Sequence, residues 1–547
     1  MTVPVVNRRS ATSRFATEWL RPLLAIDTRS LAAFRIALGI LLLLDLCVRG
    51  TDILSHYTDV GVLPRPARIT LYEFRGETSA RFWWSLHMIN GTGWFQLGLF
   101  SLAACVATCL TLGYRTRMAT FMSWALLVSL HSRLPGVNQG GDILLRMLLF
   151  WSMFLPLGAT GSVDRFRWPA DRDQPPQTIA SLGSFAMLVQ VLLVYWCTTY
   201  AKLEPTWTRD FSAIYYALEF DMYVRPLGIV LREYPVVCRV LTGMTLCLEF
   251  FGPLLLLIPV RTWIFRLVAV ALFWSFHLGL ALCLELGLFS YVSMTAWLFF
   301  LPGQFWDGLS ALLRRARDSS ALLQSVRLQG ALGLLTLLRR PAAPVFKLSW
   351  PGNIFVACCL AIVLQINFAS LHNLEDRQRT IDGPGWMHAV TAILRIEQRW
   401  LMFAPRPARA DGWCLMRGVL MDGTEVNLWQ PEQPLPFTKP TSVRRQFPNH
   451  RWRKYVVHLC WDADGEQLSC FSDWLSWRWN LFYSNGQPER QVRMVEIVFY
   501  HEETPPPGEP AKPVQAFLLW NWDYLEGRTL MPDGEPGEMP EGRPEER

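Results

Sequence analysis

Long apolar stretches alternate with short polar connections over the first two-thirds of the chain. Nine of them approach the roughly 20 residues that a helix needs to cross a bilayer. They predict transmembrane helices at residues 31–48, 94–112, 118–134, 143–159, 179–200, 236–259, 263–284, 286–301 and 354–370. Two of these stretches are short and the seventh and eighth nearly touch, so a count of eight to ten is also compatible with the pattern. The predicted fold is an all-α polytopic membrane bundle of about nine helices.

Short runs with alternating apolar and polar residues replace the long stretches after residue 370. The runs 455–459 and 495–500 predict strands. The dipeptides Asp422-Gly423 and Asp464-Gly465 predict hairpin turns, and residues 395–402 predict a helix. We therefore expect a small, mostly β domain after the bundle.

Loop arginines and lysines lie mostly on the side of the predicted bundle that holds the N-terminus. Positive loops favour the cytoplasm, so we expect a cytoplasmic N-terminus, a cell-membrane location and an extracytoplasmic C-terminal domain. The predicted units are a cytoplasmic N-terminus with a surface helix (1–30), the bundle (31–302), a basic cytoplasmic segment (303–351), the last transmembrane helix (352–370), the soluble domain (371–529) and a disordered tail (530–547).

Composition supports a membrane protein, because 51% of the 547 residues are hydrophobic and only 18% are charged. The net charge of +7 is typical of cytoplasmic loops that face anionic headgroups. The lipid bilayer is therefore the expected partner, and no RNP-like motif indicates nucleic-acid binding.

Most of the 12 cysteines lie in or beside apolar stretches, where we interpret them as small hydrophobes. Cys414, Cys460 and Cys470 fall in the predicted soluble domain, where one disulfide can form and one thiol is left over. Zinc-binding Cys/His spacings are absent from the sequence, so we expect no metal.

Polar residues inside the apolar stretches are costly and are the first candidates for a site. Arg35 and Asp45 are ten residues apart and do not pair directly, so we interpret them as helix-packing residues. Asp142 ends the segment NQGGD (138–142), where it can cap a helix and pair with Arg146 one turn later. The alternative is that these side chains form the wall of a polar pocket.

Lys202 ends the fifth apolar stretch in an aromatic setting. Its amine can reach the membrane surface beside Glu204, or it can lose its charge in an apolar pocket and act as a base. His277 and Glu285 can share one helix face, and Glu249 is a third polar residue within the spans. Buried histidines of this kind are more often hydrogen-bonded structural residues than proton relays.

Several segments occur in the same order as in a known family. They are SLAAFRI (30–36), YTDVGVLPR (57–65), YAKLEPTW (200–207), and FHL (276–278) with LGLFSYV (286–292). This series resembles the HTTM (horizontally transferred transmembrane) domain proteins and their relatives, the vitamin K-dependent γ-carboxylases. The segments WLMFAP (400–405) and RWRKY (451–455) are similar to the C-terminal parts of HTTM proteins.

The resemblance implies a mechanism in which a lysine amine deprotonates vitamin K hydroquinone, and O₂ and CO₂ are then consumed as the quinone is epoxidised and a glutamate is carboxylated. Lys202 is the matching amine. The candidate substrate-binding residues are Asn138, Asp142, Arg146, Tyr200, Trp207 and His277. The cofactor implied is reduced vitamin K or another quinol, and the partner is a protein or peptide on the extracytoplasmic side.

Two departures separate this chain from the carboxylases. The segment 138–142 lacks their histidine, and Leu280 and Leu282 replace a polar Asn and Gln. We therefore expect an HTTM membrane protein that acts on a quinone or isoprenoid lipid. A true γ-carboxylase and quinone epoxidase, and a non-catalytic scaffold or transporter component, remain alternatives.

Overall fold

The structure, a computed structural model, describes residues 20–74, 82–167, 177–319, 348–372, 384–462 and 465–527. It is mostly helical. The main helices up to residue 394 are α1 (Thr28–Gly50), α2 (Gly93–Leu112), α3 (Thr116–Arg133), α4 (Gly140–Ser152), α5 (Leu182–Ala201), α6 (Pro235–Phe251), α7 (Thr262–Cys283), α8 (Phe289–Leu298), α9 (Gly303–Ser319), α10 (Trp350–His372) and α11 (Gly385–Leu394). Short helices connect them at Arg21–Leu24, Ile53–Tyr57, Arg65–Phe74, Val163–Phe166, Pro205–Thr208, Ala213–Glu219 and Pro226–Arg232.

Six helices among the described residues are long and apolar enough to cross a bilayer: α1, α2, α5, α6 with the 3₁₀ turn that extends it to Leu257, α7 and α10. Each has 20–23 residues, and a rise of 1.5 Å per residue makes them about 30–35 Å long. Leucines on their outer faces, such as Leu97 and Leu272, are exposed, as expected for side chains that contact lipid. These six helices match the first, second, fifth, sixth, seventh and ninth predicted spans.

The predicted count of nine spans is not confirmed, because the other three helices differ from simple lipid-crossing segments. Helices α4 and α8 have 13 and 10 residues, so they are only about 20 and 15 Å long. Both are enclosed by other helices, and most of their residues are buried. Helix α3 carries buried Ser129, Ser132 and Arg133 near its end. These polar residues lower the mean hydropathy of α3 below that of the six candidate spans.

The C-terminal part contains a four-stranded antiparallel sheet and two helices. The strands are β1 (Ala410–Leu420), β2 (Glu425–Asn427), β3 (Val492–Glu503) and β4 (Gln515–Asp523), in the order β2-β1-β3-β4. Helices α12 (His450–Asp462) and α13 (Gly465–Phe482) lie between β2 and β3 in the sequence, and α13 packs on β3 and β4. The domain is thus a small sheet covered by helices.

Two local predictions in this domain are confirmed and two are wrong. Residues 495–500 lie within β3, and Gly423 forms the turn between β1 and β2 with φ 87°. The predicted strand 455–459 lies instead in α12, where apolar residues recur at helical spacing and pack against α13. The predicted helix 395–402 is not formed, because α11 ends before Arg395, whose φ of 50° is left-handed. Asp464 lies outside the described residues, and Gly465 begins α13.

The C-terminal domain shares a hydrophobic core with the bundle. Val137 and Phe289 belong to the same cluster as Trp452 and Tyr455 of α12. Cys414 and Cys460 are buried free thiols whose Sγ atoms lie 3.2 Å apart. The predictions for residues 1–19, 320–347 and 530–547 lie outside the described residues.

Asp411 of β1 is buried where the sheet meets the segment after α5. Its Oδ2 accepts the backbone N–H of Asp221 at 2.5 Å, and Oδ1 has no hydrogen-bond partner in the described structure. Asp221 pairs with Lys439 at 2.7 Å and with Arg232 at 3.1 Å. Burial, reinforced by repulsion from Asp221, raises the pKa of Asp411 to about 8.

Asp411→Asn is expected to stabilise the protein at alkaline pH. The pKa of Asp411 in the folded state lies above its ordinary value of 3.8, so stability falls as pH rises from about 4 to about 8, by at most about 1.4 kcal/mol per pH unit. Asparagine does not titrate in this range. The melting temperature of the variant should therefore be higher than that of wild type, and the difference should grow up to pH 8. Melting curves from pH 5 to pH 9 measure this difference. Glu489→Gln, an exposed change of the same charge, is the control, and parallel curves for Asp411→Asn and wild type would contradict the prediction.

Candidate functional site

A cavity of about 530 Å³ lies inside the bundle, between α5, α6, α7 and the segment that follows α11. Most of its wall is apolar, with leucine, methionine and aromatic side chains from these elements. A few polar groups interrupt this wall, and they are Gln139, Tyr195, Lys202, Thr245, Glu249, Ser275, His277, Arg399 and Lys454. An apolar cavity with few polar groups is the usual form of a small-molecule site.

Lys202 lies where α5 ends, and its side chain is buried. The helix stops because Glu204 caps the next short helix, accepting the backbone N–H of Thr206 at 2.9 Å. The Lys202 ammonium donates to both carboxylate oxygens of Glu249, at 2.9 and 2.8 Å. Lys202 is 2% exposed and Glu249 4%, so the amine forms a buried ion pair with Glu249 and does not snorkel beside Glu204.

Trp207 completes the surroundings of the amine. Its ring centroid lies 4.3 Å from Lys202 Nζ, a distance that suits a cation–π contact. The indole N–H donates to the carbonyl of Phe403 at 3.1 Å, which fixes the ring. The Lys202 amine is therefore held between a carboxylate and an aromatic face at the wall of the cavity.

A second polar group of the cavity centres on His277 of α7. Its Nε2 lies 2.8 Å from the hydroxyl of Tyr195, and that hydroxyl accepts the indole N–H of Trp297 at 2.8 Å. The imidazole is 1% exposed, and its Nδ1 has no hydrogen-bond partner among the described residues. One ring nitrogen of His277 therefore has a hydrogen-bond partner, and the other has none among the described residues.

The cavity reaches the lipid-facing surface between α6 and α7. Met244 of α6 and Leu272 of α7 line it and are themselves 61% and 45% exposed. Ser275 and Gly279 of α7 also line it and are exposed. A lipophilic molecule can therefore approach the cavity sideways from the bilayer.

The other candidate residues do not line this cavity and have partners elsewhere in the structure. Tyr200 is 51% exposed and does not line it. Arg146 pairs with Glu397 at 3.3 Å, so the predicted Asp142–Arg146 pair is wrong. Asp142 does cap α4, as predicted, by accepting the backbone N–H of Gln139 at 2.8 Å. His277 and Glu285 have separate partners, since Glu285 pairs with Arg444 at 2.6 Å.

A buried network of charges surrounds Asp142. Arg49 donates to Asp45 and Asp142, each at 2.9 Å. Arg451 of α12 donates to the same two carboxylates, each at 2.5 Å. Asn138 accepts from Arg49 at 3.3 Å, and all four charged side chains are at most 4% exposed. Two cations and two anions thus neutralise one another and join α1, α4 and the C-terminal domain.

A metal ion does not fit this network well. Asp45, His131 and Asp142 offer ligand atoms within 4.8 Å of one another. The two carboxylates, however, already accept charged hydrogen bonds from Arg49 and Arg451, which a cation would have to displace. We interpret the cluster as a structural ion-pair network.

The sequence interpretation placed Lys202, Trp207 and His277 near a site, and the structure brings all three to one cavity. It named Glu249 as a polar residue within a span but did not pair it with Lys202, and it left out Tyr195, which binds His277. A signal for Glu249 was present, because a carboxylate within a span requires a cationic partner. Nothing in the sequence marked Tyr195, since tyrosine is common in apolar helices.

The described residues contain six candidate spans, three of which (α5, α6 and α7) line the cavity, so the chain is a multi-pass membrane protein with an internal cavity. A family model described as HTTM domain matches residues 24–305. This match covers more than half of the chain, so the chain belongs to the HTTM domain family. No curated protein and no solved structure matches it.

Proposed function

We propose that this HTTM protein is a membrane enzyme that binds a lipophilic quinol or a related isoprenoid lipid in the cavity and uses Lys202 as a base. The observation that carries the proposal is the buried Lys202–Glu249 pair in the wall of an apolar cavity of about 530 Å³. Charges inside a membrane bundle are costly and usually serve a function.

The residues present fit such a ligand. Cavities of about 300–1,000 Å³ hold most small ligands, and this one is large enough for a ring system with the first part of an isoprenoid tail. Aromatic side chains of Trp207 and Phe289 line the wall and suit a flat ring. The opening beside Met244 and Leu272 lets the rest of the tail remain in lipid.

Lys202 can act as a base only when its amine is neutral. Proton transfer from the ammonium to Glu249 along the 2.8 Å hydrogen bond gives a neutral amine and a neutral carboxylic acid, and exclusion of water favours uncharged forms. The amine lone pair can then take a proton from a ligand in the cavity. A bound quinol would supply an acidic hydroxyl for this step.

The alternatives make different demands on the chain. A γ-carboxylase also needs a peptide glutamate close to the cavity, and Leu280, which replaces a polar carboxylase residue, lines the wall. No feature of the described residues favours this narrower reaction. A scaffold or transporter component would not require a buried lysine in the wall of a cavity.

Incubation of the purified protein in lipid nanodiscs with a reduced isoprenyl naphthoquinone, O₂ and bicarbonate tests the proposal. Wild type should convert the probe to a new product detected by mass spectrometry, and Lys202→Met should slow conversion by about 10²-fold or more. Lys512→Met is the control, because Lys512 is an exposed lysine paired with Glu503. Failure of the wild type to bind the quinol or the quinone, or equal conversion by Lys202→Met, would overturn it.

A further inference from the structure

Two cysteine thiols face each other in the core of the C-terminal domain. Cys414 lies near the middle of β1, where it is paired with Phe499 of β3, and Cys460 lies in the last turn of α12. Their Sγ atoms are 3.2 Å apart, although 46 residues separate the two positions in the chain. Cys414 is 5% exposed and Cys460 2%. The pair is therefore a buried contact between distant parts of the chain.

Cys470, the third cysteine of this domain, is placed differently. It lies on α13 and is half-buried, and it packs against the hydrophobic cluster that contains the other two. The sequence allows one disulfide among the three cysteines without showing which two form it. The 3.2 Å contact selects Cys414 and Cys460 as the pair.

The surroundings of the pair do not suit a reactive thiolate. Both cysteines belong to the same apolar cluster as Trp413, Trp461 and Phe499. The hydrogen bond with Cys414, together with burial, raises the pKa of the Cys460 thiol above its ordinary value of about 9. A nucleophilic cysteine needs a lowered pKa and access to solvent. We therefore do not interpret either thiol as a nucleophile of the folded protein.

We propose that Cys414 and Cys460 form a disulfide that joins β1 to α12. The two sulfurs of a disulfide are about 2.05 Å apart, so these Sγ atoms need to approach each other by about 1 Å, a shift within reach of side-chain rotation. The inference is independent of the proposed function, because neither cysteine lines the cavity.

The bond forms by thiol–disulfide exchange, and the oxidant is a second disulfide. One cysteine thiolate attacks the oxidant, which gives a mixed disulfide and releases one thiol. The other cysteine then attacks the protein sulfur of the mixed disulfide, so the Cys414–Cys460 bond forms and a second thiol leaves. The two cysteines are oxidised, and the oxidant is reduced to two thiols that take up the two protons.

Both thiols are buried in the folded domain, so exchange takes place while the domain folds. The sequence predicts that this domain lies on the extracytoplasmic side, and disulfide oxidants are found in compartments of that kind. The predicted location and the buried contact therefore favour the same oxidised state.

The disulfide fixes α12 against the sheet. Arg451, in the first turn of α12, donates to Asp45 and Asp142 of the bundle. Cys460 lies nine residues later, which is about 14 Å along the helix axis. One end of α12 is thus held by ion pairs and the other by a covalent bond. A crosslink between positions 46 residues apart also restricts the unfolded domain, so the bond should stabilise the docked domain.

Peptide mapping tests the pairing without any variant. The full-length protein is denatured in iodoacetamide, which labels free thiols, and is digested with trypsin before any reduction. Cleavage after lysine and arginine places Cys414 in the peptide 410–417, and Cys460 together with Cys470 in the peptide 455–478. We expect these two peptides to be linked, with the label on Cys470, and to separate on reduction. Unlinked peptides with all three cysteines labelled, or a link through Cys470, would overturn the inference.

Thermal unfolding in nanodiscs tests the stabilising role. The protein is reduced with a phosphine until thiol titration shows that the linked pair has opened. Reduction should lower the melting temperature of the wild type by about 5 °C or more, and that of the control Cys470→Ala by the same amount. The double variant Cys414→Ala with Cys460→Ala should melt at one temperature in both states. Each comparison is made within one protein, so the loss of the sulfur atoms does not affect it. A wild-type melting temperature that is unchanged by reduction would contradict the stabilising role.

Discussion

Arg451→Met is expected to destabilise the protein more than any other substitution considered for the C-terminal domain. The change leaves Asp45 and Asp142 with Arg49 as the remaining guanidinium of the network, so one buried negative charge is uncompensated. Breaking a buried ion pair in this way costs about 3–5 kcal/mol. Thermal unfolding in nanodiscs, together with limited proteolysis between the bundle and the domain, measures the loss.

Two further variants test whether charge is the cause. Arg451→Met combined with Asp45→Asn restores neutrality and should recover part of the lost stability. Arg417→Met is the matched control, because Arg417 pairs with Glu425 and Glu496 at the surface of the same domain, where such pairs contribute about 0–1 kcal/mol. Equal melting temperatures for Arg451→Met and Arg417→Met would contradict the interpretation of the network as structural.

The second large effect is expected at the Lys202–Glu249 pair. Glu249→Leu removes both acceptors of the amine and leaves a buried cation whose remaining partner, among the residues that the structure describes, is the Trp207 ring. We expect a loss of about 3–5 kcal/mol for this variant. The double variant Lys202→Met with Glu249→Leu replaces the pair by apolar side chains and should regain most of that stability.

The same double variant separates the structural role of the pair from its chemical role. If Lys202 is a base, the double variant should fold like the wild type, bind the naphthoquinone and fail to convert its reduced form. A double-mutant cycle built from melting temperatures gives the coupling energy of the two residues. Additive effects of the single changes, or retained conversion by the double variant, would refute this account.

The six long spans could be predicted from sequence because their signal is local. Some 20 apolar residues in a row have few alternatives to a membrane helix. Helices α4 and α8 have apolar sequences too, but their short lengths follow from their enclosure within the bundle. Enclosure depends on tertiary contacts, which hydropathy along a chain does not record.

The C-terminal domain was harder to predict for the same reason. The segment around Val456 and Val457 has β-branched residues that favour a strand, yet it forms part of α12 because its aromatic side chains pack against α13 and the bundle. Tertiary burial outweighs a propensity of at most about 1 kcal/mol per residue. The paired strands β1 and β3 are separated by more than 70 residues, so their register had no local signal.

The candidate site was predictable by residue type but not by pairing. Lys202 and His277 are conspicuous as polar groups within apolar sequence. Their partners Glu249 and Tyr195 lie 47 and 82 residues away in the chain, and a single sequence carries no information on which distant residues meet. The same limit explains the wrong prediction for Asp142. Its sequence neighbour Arg146 was the expected partner, whereas Asp142 binds the distant Arg49 and Arg451 in the structure.

The position of Arg451 has a consequence for how the molecule is made. Ribosomes synthesise α1 about 400 residues before Arg451, so this first helix enters the translocon while its final ionic partner does not yet exist. Asp45 and Arg49 are one turn apart and bind each other at 2.9 Å, which provides a temporary neutral form for insertion. The finished network closes only after α12 has been synthesised, so the C-terminal domain completes the assembly of α1.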